Sequence, residues 1–114
     1  MVNGQAKIPC NVSLNIKDEL LVILWFKNLN AIGPPIYTLD FRESKMKHFS
    51  NHSIMNRAQF NISMQPPILF LTFIEPQDEG IYHCRADYKW SRTQSSLVYL
   101  HVAGKLQTIG SIIT

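Results

Sequence analysis

The sequence predicts an all-β sandwich of two antiparallel sheets with one inter-sheet disulfide, and three observations carry that prediction. The first is the segment Asp78-Glu79-Gly80-Ile81-Tyr82-His83-Cys84, which has the form D-x-G-x-Y-x-C. The second is the order Cys10, Trp25, Cys84 along the chain. The third is a succession of short β-rich runs divided by turn signals, with no stretch of about ten residues showing helical periodicity. Each residue type has a physical reason. Cysteines on facing sheets bridge a core about 10 Å thick, and a large indole packs against that bridge. A tyrosine just before the second cysteine places its hydroxyl to bond backbone at the E–F corner. Together they are the pattern of an immunoglobulin-like V-type sandwich.

The elements follow in order. Ala6 to Val12 alternates and carries Cys10, so it reads as strand B. Leu20 to Lys27 surrounds Trp25 and reads as strand C. Asn28 to Pro35 is a turn signal in which Pro34-Pro35 forbids a central strand. Ile36 to Phe41 is then C′, and Lys45 to Phe49 supplies a short C″, the extra edge that separates variable-type from constant-type domains. Arg57 to Ile62 is strand D, Leu69 to Ile74 strand E, Gly80 to Tyr88 strand F and Ser96 to Val102 strand G. The domain is expected to span residues 1–103, with 104–114 a C-terminal tail or the start of a linker.

Composition fits one folded domain. The chain has 114 residues, 46% of them hydrophobic and 17% charged, enough to bury a core and too apolar for disorder. A net charge of +3 is too small to imply a nucleic-acid partner. One loose basic cluster, Arg42, Lys45, Lys47 and His48, reads as a solvated hairpin edge, with a weak polyanion contact such as heparan sulfate as the alternative. Free cytosolic thiols are the alternative to a bridge. The sequons at Asn11, Asn51 and Asn61 favour the secretory route and hence the Cys10–Cys84 disulfide. A bridge closing so long a loop stabilises by about 4 kcal/mol in the chain-entropy model. No signal peptide and no run of roughly 18 apolar residues is visible, so the chain is expected to be part of a longer product whose secretion signal and any membrane anchor lie outside it.

Strand alternation assigns faces. With Trp25 inward, Ile23 is inward and Val22, Leu24 and Phe26 face out. With Cys84 inward, Tyr82 and Ala86 join it, while His83, Arg85 and Asp87 face out. On strand G, Val98, Leu100 and Val102 look inward and Leu97, Tyr99 and His101 outward. That phase pairs Cys84 with Leu100, Arg85 with Tyr99 and His83 with His101. The outer face of the G-F-C-C′ sheet is then expected to carry Leu24, Phe26, Tyr37, Leu97 and Tyr99 with Arg85 and Asp87 among them. So apolar an outer face marks a partner site, unless another domain of the same protein covers it. Asn11 and Asn61 fall on the opposite sheet, where glycans would leave that face bare. Arg57 and Asp78 are expected to form a structural ion pair at the base of the D and F strands.

Catalytic chemistry is not expected. There is no Ser-His-Asp arrangement, no Gly-rich phosphate loop and no zinc-spaced Cys/His cluster. Of the four histidines, only His83 and His101 are expected as neighbours; a metal would need a third ligand, and only Asp87 or Arg85 lies nearby on that face. The reading is a non-enzyme with no cofactor, no metal and no small-molecule substrate.

The residues also resemble a known family. Leu21-Val22-Ile23-Leu24-Trp25-Phe26-Lys27, followed by Pro35-Ile36-Tyr37-Thr38-Leu39-Asp40, is similar to the first (V-type) immunoglobulin domain of arthropod Sidestep-type proteins, as are Arg57-Ala58-Gln59-Phe60-Asn61 and Cys84-Arg85-Ala86-Asp87-Tyr88. The resemblance runs over about residues 5–102. It implies a cell-surface protein of several immunoglobulin domains, acting in axon guidance, whose first domain binds Beaten-path-type immunoglobulin proteins on another cell. The tail Ala103-Gly104-Lys105-Leu106-Gln107 departs from the proline-rich junction usual there.

Two functions compete on the sequence. One is an extracellular adhesion module that binds another immunoglobulin-domain surface protein through its G-F-C-C′ face. The other is a soluble secreted factor that binds a ligand through its end loops, with Lys89-Trp90-Ser91-Arg92 at the tip. An antigen-receptor variable domain is disfavoured because strand G lacks the F-G-x-G segment that pairs such domains.

Overall fold

The computed structural model describes residues 4–14, 17–43, 45–103 and 106–113, with the backbone alone for 103 and 106–113. The described residues form strands β1 (Gln5–Pro9), β2 (Leu20–Phe26), β3 (Tyr37–Asp40), β4 (Lys47–Ser50), β5 (Ala58–Asn61), β6 (Ile68–Thr72), β7 (Gly80–Tyr88), β8 (Gln94–Ala103) and β9 (Leu106–Ile113). They build two antiparallel sheets, one in the order β1-β6-β5 and the other β4-β3-β2-β7-β8-β9. The eight strand positions of the expected sandwich, B to G with C′ and C″, are therefore filled in order by β1 to β8, and β4 on the outside of β3 supplies the C″ edge. The chain is an immunoglobulin-like sandwich of variable type.

Sequence period explains each layer. On β7, Tyr82, Cys84, Ala86 and Tyr88 are buried and alternate with half-exposed residues, as expected where one face meets the core. β2 is apolar at every position, and Ile23 and Trp25 are the members that reach zero exposure inward. From the smaller sheet come Ile8, Leu69 and Leu71, and from the larger Leu39, Val98 and Leu100, all at zero exposure. Cys10 and Cys84 are bonded across the sheets with Cα atoms 5.7 Å apart. Trp25 lies opposite Cys84 in the β2–β7 ladder and meets the edge of Phe60 at 5.6 Å between ring centroids.

The lower corner is closed by a polar cluster. A 3-10 turn, Pro76–Asp78, leads into β7, and the Tyr82 hydroxyl donates to the Asp78 carbonyl at 2.5 Å. Arg57 grips the Asp78 carboxylate with both Nη atoms, at 2.9 and 3.0 Å. It also donates to the carbonyls of Thr72, Phe73 and Ser53. One guanidinium thus ties the start of β5 to the end of β6 and to the turn before β7. Burial pushes the Asp78 carboxyl up, but the Arg57 hydrogen bonds and the Glu75 backbone N–H outweigh it and hold the group below its ordinary value. Burial and the neighbouring carboxylate both push the Tyr82 hydroxyl up, so it stays a donor.

Residues 106–113, expected as tail or linker, continue the larger sheet. β9 pairs antiparallel with β8, from Ala103↔Leu106 through His101↔Thr108 to Leu97↔Ile113, with a register shift between Val98 and Leu100. The free edge of β8 offers a row of unpaired N–H and C=O groups that a following hairpin strand satisfies.

A carboxylate with a depressed native pKa contributes stability above its unfolded pKa and loses it as the pH falls through its folded pKa. Asp78→Asn should therefore cost about 3 kcal/mol at neutral pH, because it leaves the Arg57 charge poorly compensated. The gap to wild type should narrow below the ordinary aspartate pKa of about 3.9. Urea unfolding at a series of pH values checks both; a gap independent of pH would contradict the ion-pair account.

Candidate recognition surface

The outer face of the larger sheet is assembled by register. One row runs Phe49, Thr38, Leu24, Arg85, Ser95 across β4, β3, β2, β7 and β8. A second row carries Lys47, Asp40, Val22 and Asp87. A third carries Phe26, His83 and Leu97, and beyond it Ile81 faces Tyr99. Leu24, Arg85, Asp87, Leu97 and Tyr99 are all half-exposed on this face, where alternation placed them.

Two expected members of the face offer it no exposed surface: Tyr37 lies on the other side of the sheet, and Phe26 is on the face but covered. Tyr37 lies opposite Trp25, and residues directly opposite in a ladder share a face, so Tyr37 points into the core. It is 5% exposed, its hydroxyl pairs with His48 Nδ1 at 2.6 Å, and its ring meets Phe60 at 6.0 Å. The sequence could not fix this phase because the turn before β3 hides the register. Phe26 does face outward, yet it is only 3% exposed. The His83 ring covers it edge-on at 6.3 Å and the Arg85 guanidinium lies 5.8 Å from its centroid. His83 is itself fixed, with Nδ1 on the Leu29 carbonyl at 2.8 Å and Nε2 on Ser95 Oγ at 2.9 Å.

The β7–β8 register also differs from expectation. Cys84 pairs with Ser96, Arg85 with Ser95 and His83 with Leu97, because the hairpin closes at Ala86↔Gln94 with a short loop. Ser96 and Leu100 lie an even number of positions apart, so every residue keeps its predicted face. What changes is neighbourhood. Tyr99 stands opposite Ile81 rather than Arg85 and donates its hydroxyl to Glu79 Oε2 at 3.0 Å. His83 and His101 are not paired, since His101 lies opposite Thr108 and its ring meets that of Tyr99 at a tilt, 4.4 Å between centroids. Among the described residues no group of three His, Cys, Asp or Glu stands close enough to hold a metal ion.

Charges on the face are matched locally. Arg85 bonds Asp87 through Nε at 3.2 Å and Nη2 at 3.0 Å, and Thr93 Oγ1 donates to the same carboxylate. In the basic cluster, Arg42 grips Asp40 at 2.8 Å and Lys47 meets Glu43 at 2.6 Å. The Arg42 hydrogen bonds hold Asp40 down to about 2. Two of the cluster's cations are thus already engaged, which weakens the polyanion alternative. Phe49, 53% exposed, is the residue of this face that sequence reasoning missed. Its outward phase follows from pairing with Thr38, which the uncertain C″ register concealed.

At one end of the sandwich, Trp90 is 78% exposed. Its loop is not loose. The Asp18 carboxylate accepts the backbone N–H of Trp90 at 3.2 Å and of Ser91 at 2.6 Å, and Lys89 Nζ lies 5.3 Å from the indole centroid. Desolvation raises the Asp18 carboxyl, but hydrogen bonds from Ser91, Glu19 and Trp90 outweigh it and keep the group below its ordinary value. Nothing in the sequence singles out Asp18, since its partners Trp90 and Ser91 lie far along the chain and meet it only in the folded state.

The sequons at Asn11 and Asn61 lie away from the recognition face, whereas Asn51 borders the edge strand of that sheet. Asn11 is exposed between buried Cys10 and Val12, Asn61 ends β5 on the smaller sheet, and Asn51 is exposed just after β4. No helix among the described residues is long and apolar enough to cross a membrane. Fold and surface together define an immunoglobulin-like V-type domain. No protein-family model matches the chain, and no curated protein matches it.

Asp18→Ala should release the loop and speed amide hydrogen exchange at Trp90 and Ser91 at least about tenfold, since each amide loses its acceptor. Exchange followed by NMR checks this, and unchanged rates would show the loop is held by other means.

Proposed function

We propose that this chain is an extracellular recognition module that binds another immunoglobulin-domain surface protein through the outer face of its larger sheet. One observation carries the reading: Leu24, Leu97, Tyr99 and Phe49 present apolar surface around a self-paired Arg85–Asp87 couple. Aromatic and aliphatic anchors beside an arginine are the composition of interface centres. An internally balanced charge pair lets the face be covered without stranding a lone ion. The sequons at Asn11 and Asn61 leave this face clear. The resemblance to Sidestep-type first domains supports the same reading, with a Beaten-path-like partner on an apposed cell and a role in axon guidance. A membrane anchor, in that case, belongs to the rest of the protein.

A second reading rests on Trp90. An exposed indole on a loop whose backbone is held by Asp18 is a partly preorganised anchor, as a soluble factor binding through its end loops would use.

Alanine at Leu24 or Arg85 should cost at least about 2 kcal/mol of binding, and at Trp90 less than about 1 kcal/mol. Gln at Asn11 or Asn61 should leave affinity unchanged. The check is a binding screen of the secreted domain against immunoglobulin-domain surface proteins, followed by affinities of these variants, each first shown to be folded at the assay temperature. A larger loss at Trp90 than at the sheet face would favour the loop reading.

A further inference from the structure

The flank where the two sheets part is open. β4 closes the larger sheet and β5 the smaller, and both are edge strands whose outer backbone groups have no strand partner. Between them lies a concavity of about 490 Å³ whose lining includes Met46, His48, Phe60, Asn61, Ile62 and Phe70. Its floor reaches the core, because Phe60 and Tyr37 meet there at 6.0 Å. Met46 is 47% exposed beside it. An apolar cleft that opens onto the core and runs between two free strand edges invites edge pairing and solvent entry.

One sequon lies in this lining. The Asn61 carboxamide is locked by its own Ser63, with Oδ1 accepting the Ser63 backbone N–H at 2.9 Å and the Ser63 hydroxyl at 2.6 Å. Both of those bonds end on oxygen and leave the amide nitrogen free to carry a sugar. Asn51 is held by Ser53 in the same way, but neither it nor Asn11 lines the cleft.

We propose that the carbohydrate on Asn61 folds back into the cleft between β4 and β5 and seals the flank of the sandwich. The bond is made in the secretory route. Asn61 Nδ2 attacks the anomeric carbon of an oligosaccharide carried on a polyprenyl pyrophosphate, the carbon–oxygen bond to the pyrophosphate breaks, and the nitrogen gives up one proton; nothing is oxidised or reduced. The apolar C–H face of the first sugars then covers Met46, Ile62 and the Phe60 edge, while their hydroxyl and acetamido groups remain free for His48, Gln59 and water. The inference rests on the secretory part of the proposed function and is independent of the partner.

The test uses the domain secreted from glycosylating cells. Mass spectrometry should find Asn61 occupied. Asn61→Gln should lower Tm by about 4 °C and raise the fluorescence of an apolar surface-binding dye, whereas Asn11→Gln should do neither. Trimming the wild-type glycans enzymatically to their first sugar should preserve most of the Tm, a comparison that leaves the folded chain unmutated. An unmodified Asn61 in secreted protein, an unchanged Tm or dye signal on its loss, or an equal effect at Asn11 would each overturn the proposal. Failure to find a protein partner would overturn the recognition function and leave this result standing.

Discussion

The Cys10–Cys84 bridge joins the end of β1 to the middle of β7, and the geometry of both sheets depends on it. Cys10 is drawn against the loop before β6 by its backbone bond to the Pro67 carbonyl at 2.8 Å, and Cys84 is paired on either side with Trp25 and Ser96. With those points fixed, the distance between sheets is set, and the indole of Trp25 fills the space beside the sulfurs. Phe60 packs edge-on to that indole and Tyr37 edge-on to Phe60, so one aromatic chain runs from the bridge to the open flank. The corner of Tyr82, Asp78 and Arg57 does the same at the base by polar means. In the chain-entropy model the bridge acts by limiting the unfolded chain, whereas the ion pair acts in the folded one, which makes them independent supports.

Once the bridge fixes which residues of β7 point inward, the outer face follows by alternation across the larger sheet. Arg85 and Asp87 are outward because Cys84 and Ala86 are not. Leu24 is outward because it lies opposite Arg85. A core requirement in one layer therefore dictates the composition of a surface in the next. That surface combines apolar area with charges already paired among themselves, while the sequon of Asn61 lies on β5 of the other sheet and that of Asn11 is exposed in the segment after β1.

Much of this was legible in the sequence, for physical reasons that also mark where legibility stops. D-x-G-x-Y-x-C with Cys10 and Trp25 announces the bridge, the packed indole and the tyrosine corner because each residue type is needed at its place. Inward and outward faces of β2, β7 and β8 follow from a period of two, and an even register slip leaves them intact. Neighbour relations do not follow. The β7–β8 register depends on how tightly the hairpin closes, so Tyr99 met Ile81 and Glu79 instead of Arg85. Tyr37 turned inward because the length of the turn after β2, and not the strand pattern, sets its phase. Phe26 shows a further limit: alternation gives direction, but His83 and Arg85 folding over the ring decide exposure. Asp18 and the β9 hairpin left no local signature, since each matters only through a partner distant in sequence or through a free sheet edge.

The central claim is that recognition uses the outer face of the larger sheet. Hydroxyl-radical footprinting of the domain, alone and bound to an immunoglobulin-domain partner found by binding, tests it most directly, because it reports side-chain cover on a sheet whose backbone amides are already protected. The account predicts that Leu24, Leu97, Tyr99 and Phe49 become protected while the oxidation of Trp90 is unchanged. Protection of Trp90, with the four sheet residues reacting as they do in the free domain, would contradict it.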